Sequence, residues 1–271
     1  MKILKYPRTR HIEGSRLQVG DKSDDKPLAE LVDVPLVVEE KVDGANCAIS
    51  FGDADELLLQ SRGHYLTGGP RERHFDLLKS WAAIQQAAFH AVLGRRYIMY
   101  GEWLLAKHTV FYDKLSHYFM EFDVFDRERE RFLSTNARKQ LLAGLPVMPV
   151  PVVHTGAIAN VDHLMGCLRP SLYKSSNWRD VLREAAIVSG SRADFVEKQT
   201  DDSELAEGLY IKVEANGLVE ERYKFVRADF LQAIENAEGH WLDRPILQNG
   251  LMEGIDIFSS ELGCPGAYDE K

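Results

Sequence analysis

Apolar runs of strand length, separated by short polar breaks, mark out most of the chain. Residues 34–38 are apolar and lead into Glu39-Glu40-Lys41-Val42-Asp43-Gly44-Ala45-Asn46, and a second apolar run, residues 47–51, leads out of it. This pattern predicts strand, sharp turn, strand: a hairpin in which Gly44 supplies the backbone freedom. Leu57-Leu58-Leu59-Gln60-Ser61-Arg62-Gly63 reads as another short strand, and Gly68-Gly69-Pro70 as a loop. From about Arg71 to Leu93, the residues Leu77, Trp81, Ile84, Ala88 and Val92 share one stripe, which predicts a helix stopped by Gly94.

Residues 97–104 and 118–126 read as strands, and a helix is expected from Ser134-Thr135 to Gly144. The proline-marked stretch 147–153 predicts an extended edge, and residues 160–168 and 177–188 look helical. Residues 207–214 and 218–226 are two strands joined by Ala215-Asn216-Gly217, where Asn-Gly signals a hairpin. A short helix to about Ala237 and then Trp241-Leu242-Asp243-Arg244-Pro245 follow. Antiparallel strands with interspersed helices predict an α+β fold rather than a doubly wound sheet.

Composition narrows this picture. With 271 residues, 45% of them hydrophobic, the chain can bury a large core as one mixed domain, with or without an appendage. The net charge of −9 repels phosphate at long range, so a nucleic-acid binder would need a local basic groove. Cys47, Cys167 and Cys264 lie far apart and form neither a metal signature nor a disulfide framework, which suits a reducing cytosol. The chain starts without an apolar stretch of signal-peptide length and contains no segment of membrane-spanning length, so a cytoplasmic protein is expected.

Five polar positions sit on apolar strands or at their ends: Lys41, Arg62, Glu102, Glu207 and Lys224. A lysine at the end of a buried strand is costly unless something uses it. An amine partly desolvated among other cations loses its proton more easily and becomes a nucleophile. Read singly, each position has a plainer account: an exposed lysine at a hairpin tip, a strand-end acid, or a member of the acidic loop Asp201, Asp202, Glu204, Glu207.

Their order and surroundings resemble the covalent nucleotidyltransferase superfamily of ATP-dependent RNA and DNA ligases and capping enzymes. Lys41-Val42-Asp43-Gly44 resembles its nucleophile motif, Ser61-Arg62-Gly63 the next and Gly101-Glu102-Trp103 the third. Phe122-Asp123-Val124-Phe125-Asp126 is similar to the aromatic motif. Glu207-Gly208-Leu209-Tyr210-Ile211-Lys212 and Arg222-Tyr223-Lys224-Phe225-Val226-Arg227 resemble the last two of the core. The resemblance spans roughly residues 34–227.

The resemblance implies an antiparallel-sheet nucleotidyltransferase domain, an ATP-grasp-like ligase adenylation domain, over residues 1–232. A short C-terminal extension, 233–271, leaves no room for an OB-fold domain. It implies that Lys41 takes AMP from ATP with Mg²⁺ or Mn²⁺, aided by a cationic wall of Lys224 and Arg222 and by Lys212. Glu39 would read the adenine, with Glu40 pointing the other way; Phe122 would stack on the base. Arg62 would clamp a phosphate and Glu102 would hold ribose or metal. Glu207 would serve the metal. Two departures stand out: Arg222 replaces a common lysine, and strict alternation puts Lys212 opposite Glu207.

The short architecture resembles the RNA-ligase branch, joining 3′-OH and 5′-phosphate ends of RNA. A minimal DNA-nick ligase and a nucleotide-binding module without strand joining stay open. The implied partners are RNA or DNA ends and an end-healing kinase or phosphatase, with no membrane. In the stretch after Asp126, Arg169, Lys174, Asn177, Trp178 and Arg179 read either as a nucleic-acid contact or, as we favour, as a solvated helix face around a buried tryptophan.

Overall fold

The computed structural model describes residues 3–17, 25–230 and 246–259. In chain order the strands are β1 (Arg10–His11), β2 (Pro35–Lys41), β3 (Ala45–Phe51), β4 (Leu57–Ser61), β5 (Tyr97–Trp103), β6 (Phe119–Asp126), β7 (Arg131–Phe132), β8 (Met148–Pro149), β9 (Val152–Ala157), β10 (Gly208–Ala215) and β11 (Leu218–Val226). The helices are α1 (Asp76–Ile84), α2 (Gln86–Leu93), α3 (Thr135–Leu141), α4 (Val161–Met165), α5 (Trp178–Val188) and α6 (Ala193–Lys198).

The strands form two mostly antiparallel sheets, as a mixed fold of interspersed strands and helices requires. One runs β1-β11-β10-β2-β9; the other runs β4-β3-β5-β6-β7, with β8 added beside β6. The β10–β11 hairpin turns at Asn216 and Gly217, both at positive φ (53° and 77°), where asparagine and glycine are tolerated. β9 is an edge, as the prolines just ahead of it, Pro149 and Pro151, predict, but the proline-marked stretch is split: Met148–Pro149 pairs instead with β6.

The expected hairpin around Lys41 does not form. β2 pairs with β10 and β9, whereas β3 pairs with β4 and β5, so the chain crosses from one sheet to the other at residues 42–44. Gly44 is needed there for closeness rather than for positive φ. A Cβ on it would lie 2.6 Å from Leu104 Cδ2 and 2.7 Å from the Trp103 carbonyl oxygen. Two apolar strands bracketing a glycine resemble a hairpin in sequence, but here each run is wanted by a different core.

Those cores explain the packing. Ile12, Leu36, Val38, Leu209 and Ile211 close one side of the first sheet. The second sheet packs Ile49, Phe51, Met99 and Val124 with Trp81 and Phe89 of α1 and α2. The single helix expected from Arg71 to Leu93 is a 3₁₀ segment, Pro70–Phe75, followed by α1 and α2, which are interrupted at Gln85 (φ −89°, ψ 3°). The break shifts the buried face to Leu78, Trp81, Ala82, Phe89 and Leu93 and leaves Ile84 exposed. Helix α3 starts where expected, with Ser134 Oγ accepting from the Ala137 amide.

Phe111, Trp178, Leu182, Ala186, Val196 and Leu247 form a third cluster, which fixes α5 and α6. Residues 246–259 are stitched to the body: Asn249 Oδ1 accepts from the Tyr112 amide at 3.0 Å, and its Nδ2 donates to the Leu104 carbonyl at 2.7 Å. The expectations for residues 231–245, and for Cys264, lie outside the described residues. Cys47 and Cys167 are buried and unpaired. Among the described residues, no helix is long and apolar enough to cross a membrane.

Candidate active site

Strands β2 and β10 run antiparallel with Gly208 opposite Lys41, which brings Glu207 beside the lysine at the strand ends. Lys41 Nζ donates to Glu207 Oε2 at 2.6 Å. The lysine side chain keeps 16% exposure and the glutamate 4%. The face of Tyr210 lies 5.7 Å from the same nitrogen. Burial by itself would lower the pKa of the Lys41 ammonium, but Glu207, Tyr210 and Glu102 outweigh it and hold the group above its ordinary value. The neutral amine expected from surrounding cations is therefore not the state of this site: its nearest neighbours are acids.

Glu102 reaches this cluster from the other sheet. The crossing residue Gly44 passes so close that a Cβ on it would sit 3.0 Å from Glu102 Cγ. Burial pushes the Glu102 carboxyl up to about 8 against the pull of Lys41, with Glu207 and Asp43 adding to the rise. Burial likewise lifts Glu207 to about 7 against Lys41, with Asp43 raising it and Lys224 lowering it. Asp43 anchors the crossing: its Oδ2 accepts from the Thr109 and Val110 amides at 2.7 and 2.8 Å, and its own amide donates to Tyr112 Oη at 2.8 Å. The structure thus gathers Lys41, Glu102, Glu207 and Lys224 around one point.

A second cluster lies inside the protein and takes three of the other expected site residues. Lys212 Nζ is 2.8 Å from Glu39 and 2.9 Å from Asp123, and donates to the Phe122 carbonyl at 2.6 Å. Glu39 is fully buried and also paired with Arg138, whose guanidinium bridges to Glu121. Arg222 Nη1 is 3.2 Å from Asp123, and its guanidinium lies 3.9 Å from the Phe132 ring centre. Tyr6 Oη donates to Asp123 at 2.5 Å. Here alternation fails as a guide, because Glu207 precedes β10 and Lys212 lies within it.

Phe122 separates the two clusters. It is buried, stacked on Tyr210 with centroids 6.0 Å apart at 21°, and edge-on to Tyr6. Arg62 is exposed just beyond β4, near enough for its charge to act on Tyr210. Glu40 points away from Glu39, as alternation predicts, and is buried on the other face, accepting from Ser171 Oγ at 2.5 Å. Burial raises it to about 7. Around α5, Trp178 is buried and Arg179 lies over its ring at 4.4 Å while pairing with Glu204 at 2.6 Å.

Sequence reasoning missed Tyr210, Arg138 and the anchoring by Asp43. Asp43 and Tyr210 stand inside quoted motifs, so a signal existed. Arg138 had none: it is one of two basic residues on a short helix, and only the fold buries it.

No curated protein matches the chain. A lysine mutant of Naegleria gruberi RNA ligase solved with ATP and Mn superposes with a TM-score of 0.52 at 16% identity, covering 84% of this chain and 62% of that one. Naegleria gruberi RNA ligase with PPi gives a TM-score of 0.52 at 16% identity, over 88% and 64% of the two chains. An archaeal ATP-dependent RNA ligase gives 0.50 at 15% identity, over 84% and 49%. At such identities the likeness is one of fold, and this chain spans less than two thirds of either relative. The sequence profile described as RNA ligase matches residues 34–226, well over half of the chain, and the chain therefore belongs to the RNA ligase family.

Proposed function

We propose that this chain is an ATP-dependent RNA ligase that joins 3′-OH and 5′-phosphate ends through AMP carried on Lys41. The observation that supports this most is the Lys41–Glu207 pair at 2.6 Å, placed beside Glu102 where the two sheets meet. Lys41 Nζ would attack the α-phosphorus of ATP, breaking the bond to pyrophosphate and forming a phosphoramidate. The 5′-phosphate would then take AMP from the lysine, and the 3′-OH would attack that phosphate and expel AMP.

Glu207 and Glu102 would hold the divalent ion. Glu207 is buried and Glu102 half-buried, and their charged forms need a cation, which fits a metal bound by one or two carboxylates and substrate phosphates. When bound, such an ion neutralises phosphate charge. Neutralising the two carboxylates also removes the attraction that keeps the proton on Lys41. That proton can then leave to solvent, to which the lysine is still open. Lys224 and Arg62 would face the phosphates. Lys212 and Arg222 act from behind, by fixing Glu39 and Asp123 and hence the strands that carry the site.

Sealing of one nick with ribose or deoxyribose at the 3′-OH side tests this reading. A single ribose 2′-OH offers a donor and an acceptor that DNA lacks, so ribose should be sealed faster. Equal rates or a preference for deoxyribose would favour a DNA-nick ligase. Labelling of lysine without any joining would favour a nucleotide-binding module.

A further inference from the structure

A cavity of about 270 Å³ lies between the β5–β6 connection and the α5–α6 turn. Its walls include His74, Lys107, His108, Arg192, Phe195 and Gln199, and no aspartate or glutamate lines it among the described residues. That composition stands out in a chain of net charge −9. The volume is near the lower end of ligand pockets, roughly 300–1,000 Å³, which suits one nucleotide-sized group rather than a peptide segment.

The cavity is built and not a gap between loops. Lys107 Nζ donates to the His108 and Gln199 carbonyls, each at 3.0 Å, and ties the end of α6 to the wall opposite. Arg192 stands at the rim and pairs with Asp194 at 2.5 Å. Phe195 is 48% exposed and offers an aromatic face. The cavity also adjoins the Lys41 cluster. His108 Nδ1 is 4.0 Å from Asp43 Oδ1, and the next two residues, Thr109 and Val110, give Asp43 its amide bonds.

We infer that this cavity holds one nucleotide of the RNA strand next to the end being joined, with its base against Phe195 and its phosphate facing Lys107 and Arg192. A positive wall beside an aromatic face is the arrangement that single strands use, with stacking tolerant of sequence. The inference rests on the ligase reading above, and it assigns the strand contact to the α5–α6 turn, where Phe195 is exposed beside the cavity.

The test is the fluorescence anisotropy of a short 5′-fluorescein-labelled RNA on the full chain, with melting curves to verify folding. Phe195→Ala should weaken RNA binding about tenfold and Phe195→Tyr should restore it to within about twofold. Arg192→Ala should reduce the salt slope by about one. Unchanged RNA affinity in Phe195→Ala would overturn the inference, and would suit a protein partner on the exposed Ile187, Val188 and Phe195. ATP labelling of the wild type is measured alongside. Labelling without RNA binding fails only this inference; RNA binding that is sensitive to Phe195, without labelling, fails only the ligase reading.

Discussion

The Lys41 cluster and the Arg138 cluster share β2 and its neighbourhood with β10, yet their charges are arranged differently. In the inner cluster, Glu39, Glu121 and Asp123 meet Arg138, Lys212 and Arg222, three acids against three bases, all largely closed to solvent. Lys212 and Arg222 help hold the Asp123 carboxyl below its ordinary range despite burial. In the outer cluster Lys41 lies among Glu207, Glu102 and Asp43, with Lys224 acting on Glu207, so acid is in excess. The balanced cluster joins the two sheets. In the proposed mechanism the unbalanced one would be completed by a cation from outside, and that need is what would suit it to phosphate chemistry.

Removing one base from each cluster should separate them most clearly. Arg138→Leu strips the buried Glu121 of its ion pair and leaves Glu39 to Lys212 alone, and should lower the unfolding free energy in urea by about 3–5 kcal/mol. Lys41→Met should lower it by less than about 1 kcal/mol, because Glu207 is already held near 7 and can take a proton instead. Equal losses would mean that both clusters are structural.

Within the outer cluster, Glu207→Ala and Lys224→Ala should each slow AMP transfer to Lys41 by more than about tenfold, roughly 1.4 kcal/mol of barrier. A rate within about threefold of wild type would remove that residue from the proposed chemistry.

The effect of pH should be smaller and has a definite sign. Glu102 at about 8 and Glu207 at about 7 keep their protons in the folded chain where the unfolded chain, with carboxyls near 4.5, has lost them. Their contribution to stability is thus complete below about pH 4.5 and is lost as pH rises through 7 and 8. Glu40, also raised to about 7, adds to the fall from the opposite face. Saturating Mn²⁺ should flatten the part due to the outer cluster, and Glu102→Gln should remove the Glu102 share. Stability that is level between pH 5 and 8 without metal would contradict the assignment. Smallest of all, Arg179→Ala should change stability by less than about 1 kcal/mol, since its bond to Glu204 is exposed.

Much of the framework is legible in local patterns. Asn216-Gly217 announces its hairpin, Ser134 begins α3, and alternation along β2 sends Glu39 and Glu40 to opposite faces. What stayed hidden depends on contacts between distant segments. Nothing near Gly44 tells a hairpin from a crossing between sheets; the choice is made by Leu104 and Trp103, some sixty residues on. The outer site was legible only as an ordered set of motifs, and the acidity around Lys41 appears once β10 and β5 are in place. Arg138 acquires its partners from β2 and β6, so its own surroundings in the chain say nothing of them.

The central claim is that Lys41 is the group that carries AMP. Incubation with ATP and Mg²⁺, followed by intact-protein mass measurement and peptide mapping, addresses it directly. The account predicts a mass gain of one AMP located on Lys41, a rate that increases with pH as the ammonium becomes easier to deprotonate, and no gain in Lys41→Ala while that variant still melts cooperatively. A Lys41→Ala protein that gains AMP as the wild type does, or AMP mapped to another residue, would contradict it.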